Sequence, residues 1–179
     1  MLKGEIISLH AVEKTDIGQL KNWRNNSEYR KYFREYRELS NEDQKSWYEN
    51  EVINNPETIM FSIRRNEDDI LLGCCGFVYY KHIHKHADLS LYIGWNDQYI
   101  DDNGYAREAC ELLMAYGFNE LCLNKIWTEI YEFDDRKREL YLGLGFQQDG
   151  LLRQNYWYNG RWWDSRILSI LFSDFKQLK

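Results

Sequence analysis

Residues 101–118, DDNGYAREACELLMAYGF, decide the fold class of this chain. Two acidic residues lead into Gly104, and small or apolar residues then recur at three- and four-residue spacing. This spacing predicts a helix over about 105–121 with one buried face. A glycine at a helix start lets a ligand approach the main chain, and the N–H groups of a first turn bind phosphate. The stretch therefore predicts an anion-binding loop followed by a helix.

Strand-like runs lie on both sides of this helix. An opening strand over 5–12 is followed by two helices, one starting after Thr15 or Asp16 and one opening with a capping box of Ser40 and Asp43. Three strands before residue 96, one after the central helix, a short helix over 135–144 and an aromatic hairpin ending near Phe175 complete the pattern. This order predicts an α+β fold.

Composition excludes several classes of function. The formal net charge is -6, which disfavours a nucleic-acid partner because such binding depends on clustered Lys and Arg. Without a long apolar run or a leader-like start, we expect a cytoplasmic protein with no membrane partner. The KHIHKH segment, 81–86, is interpreted as an exposed hairpin loop, so no metal is expected. Neither a GxGxxG nor a GxxxxGK motif occurs.

Four segments together resemble the GNAT acyltransferases, over nearly the whole chain. They are ISLHAVEKTDIGQLKNWRNN, NGYAREACELLMAYGFNELCLNKI, ELYLGLGF and DGLLRQNYWYNGRWWDSRILSI. The resemblance is greatest to the branch of ribosomal-protein alanine N-acetyltransferases, and the WRN and SWYE motifs resemble bacterial aminosugar-nucleotide N-acetyltransferases. It implies a single GNAT domain over 1–179, with a mixed, mostly antiparallel sheet of about seven strands flanked by helices.

The resemblance also implies acetyl-CoA as the acetyl donor and assigns residues to it. The family usually has Arg or Gln where this chain has Asp101, a carboxylate that disfavours an anion unless it points away and caps the helix. The family's Asn and Ser after the next strand are replaced by Asp134 and Lys137, and Lys137 with Arg136 and Arg138 could offset Asp101. The implied coenzyme-binding residues are Leu91, Tyr92, Ile93, Asn103, Gly104, Tyr105, Ala106, Asp134 and Lys137.

Acetyl transfer to an amine needs a neutral nucleophile, a polarised thioester and a proton for the departing thiolate. Tyr141 matches the family tyrosine near the coenzyme sulfur and is the candidate acid. Asp88 opens the fourth strand, where many relatives place an acid, and Glu129 lies between two aromatic residues of the fifth strand. Either carboxylate is a candidate base, directly or through water.

The acceptor is expected between the N-terminal helices and the C-terminal hairpin. Candidate acceptor-binding residues are Trp23, Arg24, Tyr29 and Trp47. Arginines among aromatic residues suit an aminosugar nucleotide, and a protein N-terminus is a close rival. A polyamine ranks lower because residues 21–50 carry seven basic and six acidic side chains. A non-catalytic acetyl-CoA sensor is the remaining alternative, and the YWYNGRWW hairpin suggests a homodimer.

Overall fold

The computed structural model describes residues 1–177, which form one eight-stranded sheet with helices packed on it. The strand order is β1-β2-β3-β4-β5-β6-β8-β7, and every neighbouring pair is antiparallel except β5 and β6, which are parallel. The strands are β1 (Leu2–Lys3), β2 (Ile7–Ala11), β3 (Ile59–Arg65), β4 (Leu71–Lys81), β5 (His86–Ile93), β6 (Lys125–Tyr131), β7 (Gln147–Tyr158) and β8 (Arg161–Leu171).

The helices lie where the sequence predicts them, with two additions, Ser27–Arg30 and Phe172–Gln177. The capping box forms: the Ser40 amide donates to the Asp43 carboxylate at 2.8 Å, and the Asp43 amide donates to the Ser40 hydroxyl at 3.1 Å. The helices are α1 (Ile17–Arg24), α2 (Ser27–Arg30), α3 (Asn41–Trp47) with a π-helical continuation (Tyr48–Ile53), α4 (Tyr105–Asn119), α5 (Asp135–Gly143) and α6 (Phe172–Gln177).

The α+β prediction is confirmed, and its details need three corrections. The sheet has eight strands rather than about seven, because the two-residue β1 is too short to leave a pattern. The last residues of the predicted hairpin form α6, whose Phe175 ring packs 4.9 Å from that of Phe118. Asp16 precedes α1, but its carboxylate accepts from Ser62 and Arg64 instead of capping the helix.

Helix α4 covers one face of the sheet, packed against β1, β2 and β5. Its buried face is made of small residues and medium-sized apolar residues, which allows close approach to the strands. The Cys75 and Cys110 side chains are buried in this core as free thiols. Gly117 continues the same face: an added Cβ there would lie 2.8 Å from the Phe77 ring. The predicted one-faced helix is therefore the packing element that fixes the loop at residue 104.

Strands β5 and β6 pair over only three positions, from His86–Lys125 to Asp88–Trp127. Beyond that point β5 continues to Ile93 and β6 to Tyr131 without further pairing between them, which opens a gap in the middle of the sheet. The predicted splayed strand edge is therefore present. Its position, between two central strands, gives the gap rigid walls.

Two turns of the sheet, the β4–β5 turn and the tip of the β7–β8 hairpin, were the subject of predictions from the sequence. The KHIHKH segment forms the exposed turn between β4 and β5, as interpreted from the sequence. At the tip of the β7–β8 hairpin, Trp157 and Trp162 are more than half exposed and pack edge to face at 5.1 Å. The homodimer expected from this hairpin would use this tip, and it stays a prediction.

A substitution at Gly94, the residue after β5, tests how tightly α1 packs on the sheet. A Cβ at this position would lie 2.0 Å from Cδ2 of the buried Trp23 ring. We expect Gly94→Ala to lower the free energy of unfolding by about 1–3 kcal/mol, because a buried indole cannot move away without disturbing its neighbours. Urea denaturation measures the change.

The matched control is Gly18→Ala in α1, where an added Cβ meets nothing within 4 Å. We expect this variant to be as stable as the native protein or more stable by up to about 1 kcal/mol, because alanine favours helix. Equal stability of the two variants would contradict the packing described for Gly94.

Candidate active site

A cleft of about 450 Å³ opens beside the β5–β6 gap, beneath the segment that connects α1 to α3. Its floor comes from β4, β5 and β6, and its walls from α1, α3 and residues 32–35. It combines aromatic rings with charges of both signs. The lining includes Arg24, Phe33, Arg34, Trp47, Tyr79, Asp88, Leu91, Thr128, Glu129, Tyr131 and Lys137.

The edge of β5 that faces the gap can be assigned from its hydrogen bonds. The Gly94 amide donates to the Leu72 carbonyl of β4 at 2.8 Å. Because backbone groups alternate sides along a strand, Tyr92 also presents its amide and carbonyl to β4, whereas Leu91 and Ile93 present theirs to the gap. The predicted pairing of a ligand with the Tyr92 backbone is therefore wrong, and Leu91 and Ile93 stay candidates.

The two remaining candidates differ in their present partners. The Ile93 amide donates to the Tyr99 carbonyl at 3.0 Å, so a ligand amide would have to replace that contact. Thr128 on β6 donates its hydroxyl to the Leu89 carbonyl at 3.1 Å, at the point where the strands separate. Leu91 lies between these two contacts and offers its backbone to the cleft.

The loop before α4 contains an internal anion. Gly104 has φ +92°, in the left-handed region that favours glycine. The buried Asp101 carboxylate accepts hydrogen bonds from the amides of Tyr105 at 2.8 Å and Ala106 at 2.7 Å. Asp101 thus caps the helix, the arrangement that reconciles it with an anion loop. Because the Tyr105 and Ala106 amides already donate to Asp101, they are not free to bind phosphate as predicted. The phosphate contacts of Asn103 and Gly104 stay predictions.

Lys137 does not form the predicted basic cluster with Arg136 and Arg138. Arg136 pairs with Asp102, but Lys137 is buried, with its Nζ 5.0 Å from the centre of the Tyr99 ring. Asp134 caps α5 by accepting from the Lys137 amide at 3.1 Å and also accepts from the Tyr99 hydroxyl at 2.9 Å. Burial lowers the pKa of Lys137, opposed by the charges of Asp134 and Asp88. Lys137 is therefore a cleft residue rather than a surface cation.

The two candidate bases lie in the same cleft. Asp88 is 2% exposed, at the last paired position before the gap, and Arg34 Nη2 lies 2.7 Å from its Oδ2 atom. Burial raises the pKa of Asp88 to about 6, although the Arg34 charge opposes that shift. Glu129 accepts from the Asn155 side-chain amide at 2.8 Å and lies 3.6 Å from Arg34 Nε. Asp88 is the more buried carboxylate and the one with a pKa near neutrality.

Tyr141, the candidate acid, is fully buried in α5, with its ring 5.2 Å from that of Phe146. Among residues 1–177 its hydroxyl has no hydrogen-bond partner of good geometry, which is uncommon for a buried polar group. Burial raises the pKa of Tyr141 well above its ordinary value, so the phenol keeps its proton. Thr128, which lines the cleft, is a near polar neighbour. A protonated phenol without a partner suits a group that meets a ligand atom.

The four predicted acceptor residues separate into two pairs. Arg24 and Trp47 line the cleft. Trp23 and Tyr29 are core residues: Trp23 packs on Gly94, and Tyr29 is 2% exposed with its ring against those of Phe33 and Tyr99. Their predicted role in acceptor binding is wrong, because helix α1 and the start of α2 turn these rings into the core.

Sequence reasoning did not single out several cleft residues, among them Arg34, Glu51, Tyr79, Thr128 and Tyr131. Arg34 lies in the RKYFREYRE run, whose charges follow no helical or strand spacing that would single out one of them. Within the described residues, no group of three or more His, Cys, Asp and Glu side chains could hold a metal ion. None of the helices in residues 1–177 has the length and apolar character needed to cross a membrane.

Comparison with known proteins places this geometry in a family. The model of the acetyltransferase (GNAT) domain matches residues 7–147. YoaA of Bacillus subtilis strain 168, an uncharacterised N-acetyltransferase, is 30% identical over 116 residues. That match covers 63% of this chain, and the chain spans 62% of the length of YoaA. The spermidine N(1)-acetyltransferase of Vibrio cholerae is 25% identical over 171 residues, 94% of this chain and 95% of that protein.

A solved structure has the same fold. The crystal structure of spermidine N-acetyltransferase from Vibrio cholerae in complex with CoA and spermine superposes with a TM-score of 0.86. It is 25% identical and covers 95% of this chain and 98% of that one. The comparisons confirm the superfamily that the sequence resembles, without selecting the ribosomal-protein branch. With a family model matched over residues 7–147 and a common fold, the chain belongs to the GNAT acetyltransferases.

Proposed function

We propose that the protein is an N-acetyltransferase that moves the acetyl group of acetyl-CoA directly to a primary amine of a small molecule. The observation that carries the proposal is Asp88, a buried carboxylate at the mouth of the strand gap, in the cleft, with a pKa raised to about 6. A base with such a pKa is ionised at neutral pH yet strong enough to accept a proton. Perturbed carboxylates of this kind concentrate at functional sites.

The residues present fit acetyl-CoA as the donor. Leu91 lines the cleft beside the gap. The Tyr141 hydroxyl is buried without a partner of good geometry and lies behind the cleft lining, so it meets a ligand atom only when that lining moves. When bound, acetyl-CoA supplies an activated thioester. Asp88 takes a proton from the acceptor ammonium, the amine nitrogen bonds to the acetyl carbon, and the carbon–sulfur bond breaks. Tyr141 gives a proton to the thiolate and is restored by the proton that the new amide nitrogen loses, while the Asp88 proton passes to solvent.

For the acceptor, we favour an alkylamine of the polyamine class. The cleft sets the carboxylates of Glu51, Asp88 and Glu129 among the rings of Trp47 and Tyr131, a combination that suits an alkylammonium ion. The similarity to a spermidine acetyltransferase, whose crystal structure contains CoA and spermine, supports this choice.

This order reverses the ranking made from charge counts. The count covered only residues 21–50, where the Arg30–Glu38 and Arg37–Glu35 pairs cancel, whereas the cleft carboxylates Asp88 and Glu129 lie outside that range. Neutralised pairs say little about the potential inside the cleft. The second candidate is an aminosugar nucleotide, favoured by Arg24, whose guanidinium lines the cleft and stacks 5.3 Å over the Phe33 ring.

Release of CoA from acetyl-CoA, measured with spermidine, 4-aminosugar nucleotides and N-terminal peptides, decides among these acceptors. We expect the fastest release with spermidine. Faster release with a sugar nucleotide would favour the reading based on Arg24, and faster release with a peptide would support a protein N-terminus. If acetyl-CoA raises the melting temperature but no amine is acetylated, the sensor alternative is correct.

Asp88→Asn tests the base. The amide cannot accept a proton, so we expect kcat/KM to fall by roughly 10²- to 10⁴-fold while the affinity for acetyl-CoA, measured by calorimetry, stays native. In the native protein kcat/KM should fall as pH drops below about 6, where Asp88 becomes protonated. Glu129→Gln is the comparison and should lower kcat/KM less than Asp88→Asn, because it removes a charge near the acceptor but leaves the proposed base. A larger loss in Glu129→Gln than in Asp88→Asn would transfer the role of base to Glu129.

Tyr141→Phe tests the acid. We expect kcat to fall much more than acetyl-CoA affinity, because the change removes only the proton that the phenol donates. Stability should not decrease, since the lost hydroxyl is buried without a good partner. Thermal melting therefore separates a catalytic effect from unfolding. Native turnover in the variant would remove Tyr141 from the mechanism.

A further inference from the structure

Arg34 lies between the two candidate bases, in the connection between α2 and α3. Its Nη2 atom is 2.7 Å from Asp88 Oδ2, and its Nε atom is 3.6 Å from Glu129 Oε2. Its Cζ atom lies 5.6 Å from the centre of the Tyr79 ring. Two carboxylates and the face of an aromatic ring thus surround one cation.

This arrangement is a built cation site. Asp88 is 2% exposed and Glu129 is 17% exposed, so water screens their charges weakly. An aromatic face adds a further attraction for a positive charge. The chemistry of the site does not distinguish a guanidinium from an alkylammonium ion, because both are cationic donors without acceptors.

The acceptor must reach the same carboxylate. In the proposed function, the amine gives its proton to Asp88, which requires its nitrogen to come within hydrogen-bond distance of that side chain. The Arg34 guanidinium already fills this position at 2.7 Å. Both cations cannot occupy the position together, since they would repel one another at contact distance.

We propose that Arg34 is an internal competitor of the acceptor: its guanidinium holds the cation site between Asp88 and Glu129 and leaves it when the acceptor ammonium binds. This inference rests on the proposed function, since it takes Asp88 as the group that meets the amine.

Arg34 is well placed to leave. Its side chain is 43% exposed, and residues 31–40 between α2 and α3 belong to no helix or strand. A side chain with 43% of its surface exposed is already partly hydrated, and the incoming ammonium keeps a cation beside the carboxylates that the guanidinium leaves. The cleft beside it is also open toward Arg24 and Trp47, which leaves room for a displaced side chain.

Displacement would also change the base. Burial and Glu129 raise the pKa of Asp88, whereas Arg34 and Lys137 lower it. The acceptor ammonium supplies a positive charge in place of the guanidinium until its proton moves to Asp88, after which the amine is neutral. The transfer therefore leaves a protonated Asp88 without the guanidinium charge that lowers its pKa, which favours the transfer.

The first test uses binding alone. The dissociation constant of butylammonium, an unreactive probe without acetyl-CoA, is measured by calorimetry for the native protein and for Arg34→Ala. We expect the variant to bind butylammonium at least ten-fold more tightly, and the double change Arg34→Ala/Asp88→Asn to lose that gain. Neutral butanol should not distinguish the proteins. Equal or weaker binding of butylammonium by Arg34→Ala would overturn the proposal.

The matched control is Arg30→Ala, which removes another arginine from the same segment whose partner, Glu38, lies on the surface. Its affinity for butylammonium should stay native. Arg34→Lys, which keeps a cation at the site, should also remain close to native. If circular dichroism shows that Arg34→Ala is unfolded, Arg34→Gln replaces it with a neutral side chain of similar length and the same expected gain.

The second test uses the kinetics with the preferred amine. In Arg34→Gln we expect a lower KM for the amine, and the acidic limb of kcat/KM should move to higher pH because the charge that lowers the pKa of Asp88 is gone. Removing any cation beside Asp88 moves that limb, so the KM for the amine is the result that identifies competition, and a native or higher KM would contradict the proposal. If Arg34→Ala gains affinity for butylammonium but neither protein acetylates any amine, competition stands and the proposed function fails.

Discussion

The separation of β5 from β6 is the constraint on which the site depends. Pairing between these parallel strands ends at Asp88–Trp127, and both strands then continue apart. Asp88, the last paired residue of β5, therefore presents its carboxylate to the gap. Further along β5, the Leu91 backbone is left unpaired on the side that faces the gap. A backbone edge in the middle of a sheet is satisfied by a ligand, water, a side chain or another backbone segment, as the Tyr99 carbonyl does for the Ile93 amide. Helix α4, packed across β1, β2 and β5, holds this geometry from one face.

Both ends of the site are held by charges of the chain itself. At the loop, Asp101 accepts from the Tyr105 and Ala106 amides, where a helix start favours an anion. In the cleft, Arg34 lies between carboxylates, where a cation is favoured. A carboxylate cap stabilises α4 by roughly 0.5–2 kcal/mol, so an anionic ligand gains less at these two amides than at a glycine loop without such a residue. Each of these two internal charges therefore weakens the binding of a ligand with the same sign of charge. At the same time, it orders the protein around the site.

The sequence predicted the helices and strands better than it predicted the contacts of individual residues. The spacing of apolar residues located α4, and the Ser40–Asp43 pair marked the start of α3, because both signals are local. The sequence also identified Asp88 and Glu129 as acids of the sheet that meet in one cleft. It assigned Tyr92 to the wrong edge of β5, since periodicity shows that a strand exists but not which side its amides face. The burial of Lys137 was missed because a lysine flanked by two arginines usually marks a solvated turn.

The titration of Asp88 connects its burial with its proposed role as the base. Its pKa is raised from 3.8 to about 6 in the folded protein, so its contribution to stability is greatest below 3.8 and is lost as pH rises through 6. At neutral pH the folded chain thus carries a buried carboxylate that opposes folding, and the Arg34 charge only partly offsets the cost of burial. A carboxylate whose ion pair outweighed its burial would show the opposite shift, toward a lower pKa. A base that must be ionised and still ready to accept a proton requires a raised pKa. The balance among burial, Arg34 and Lys137 sets that pKa and is therefore the part of the site that substitution will disturb first.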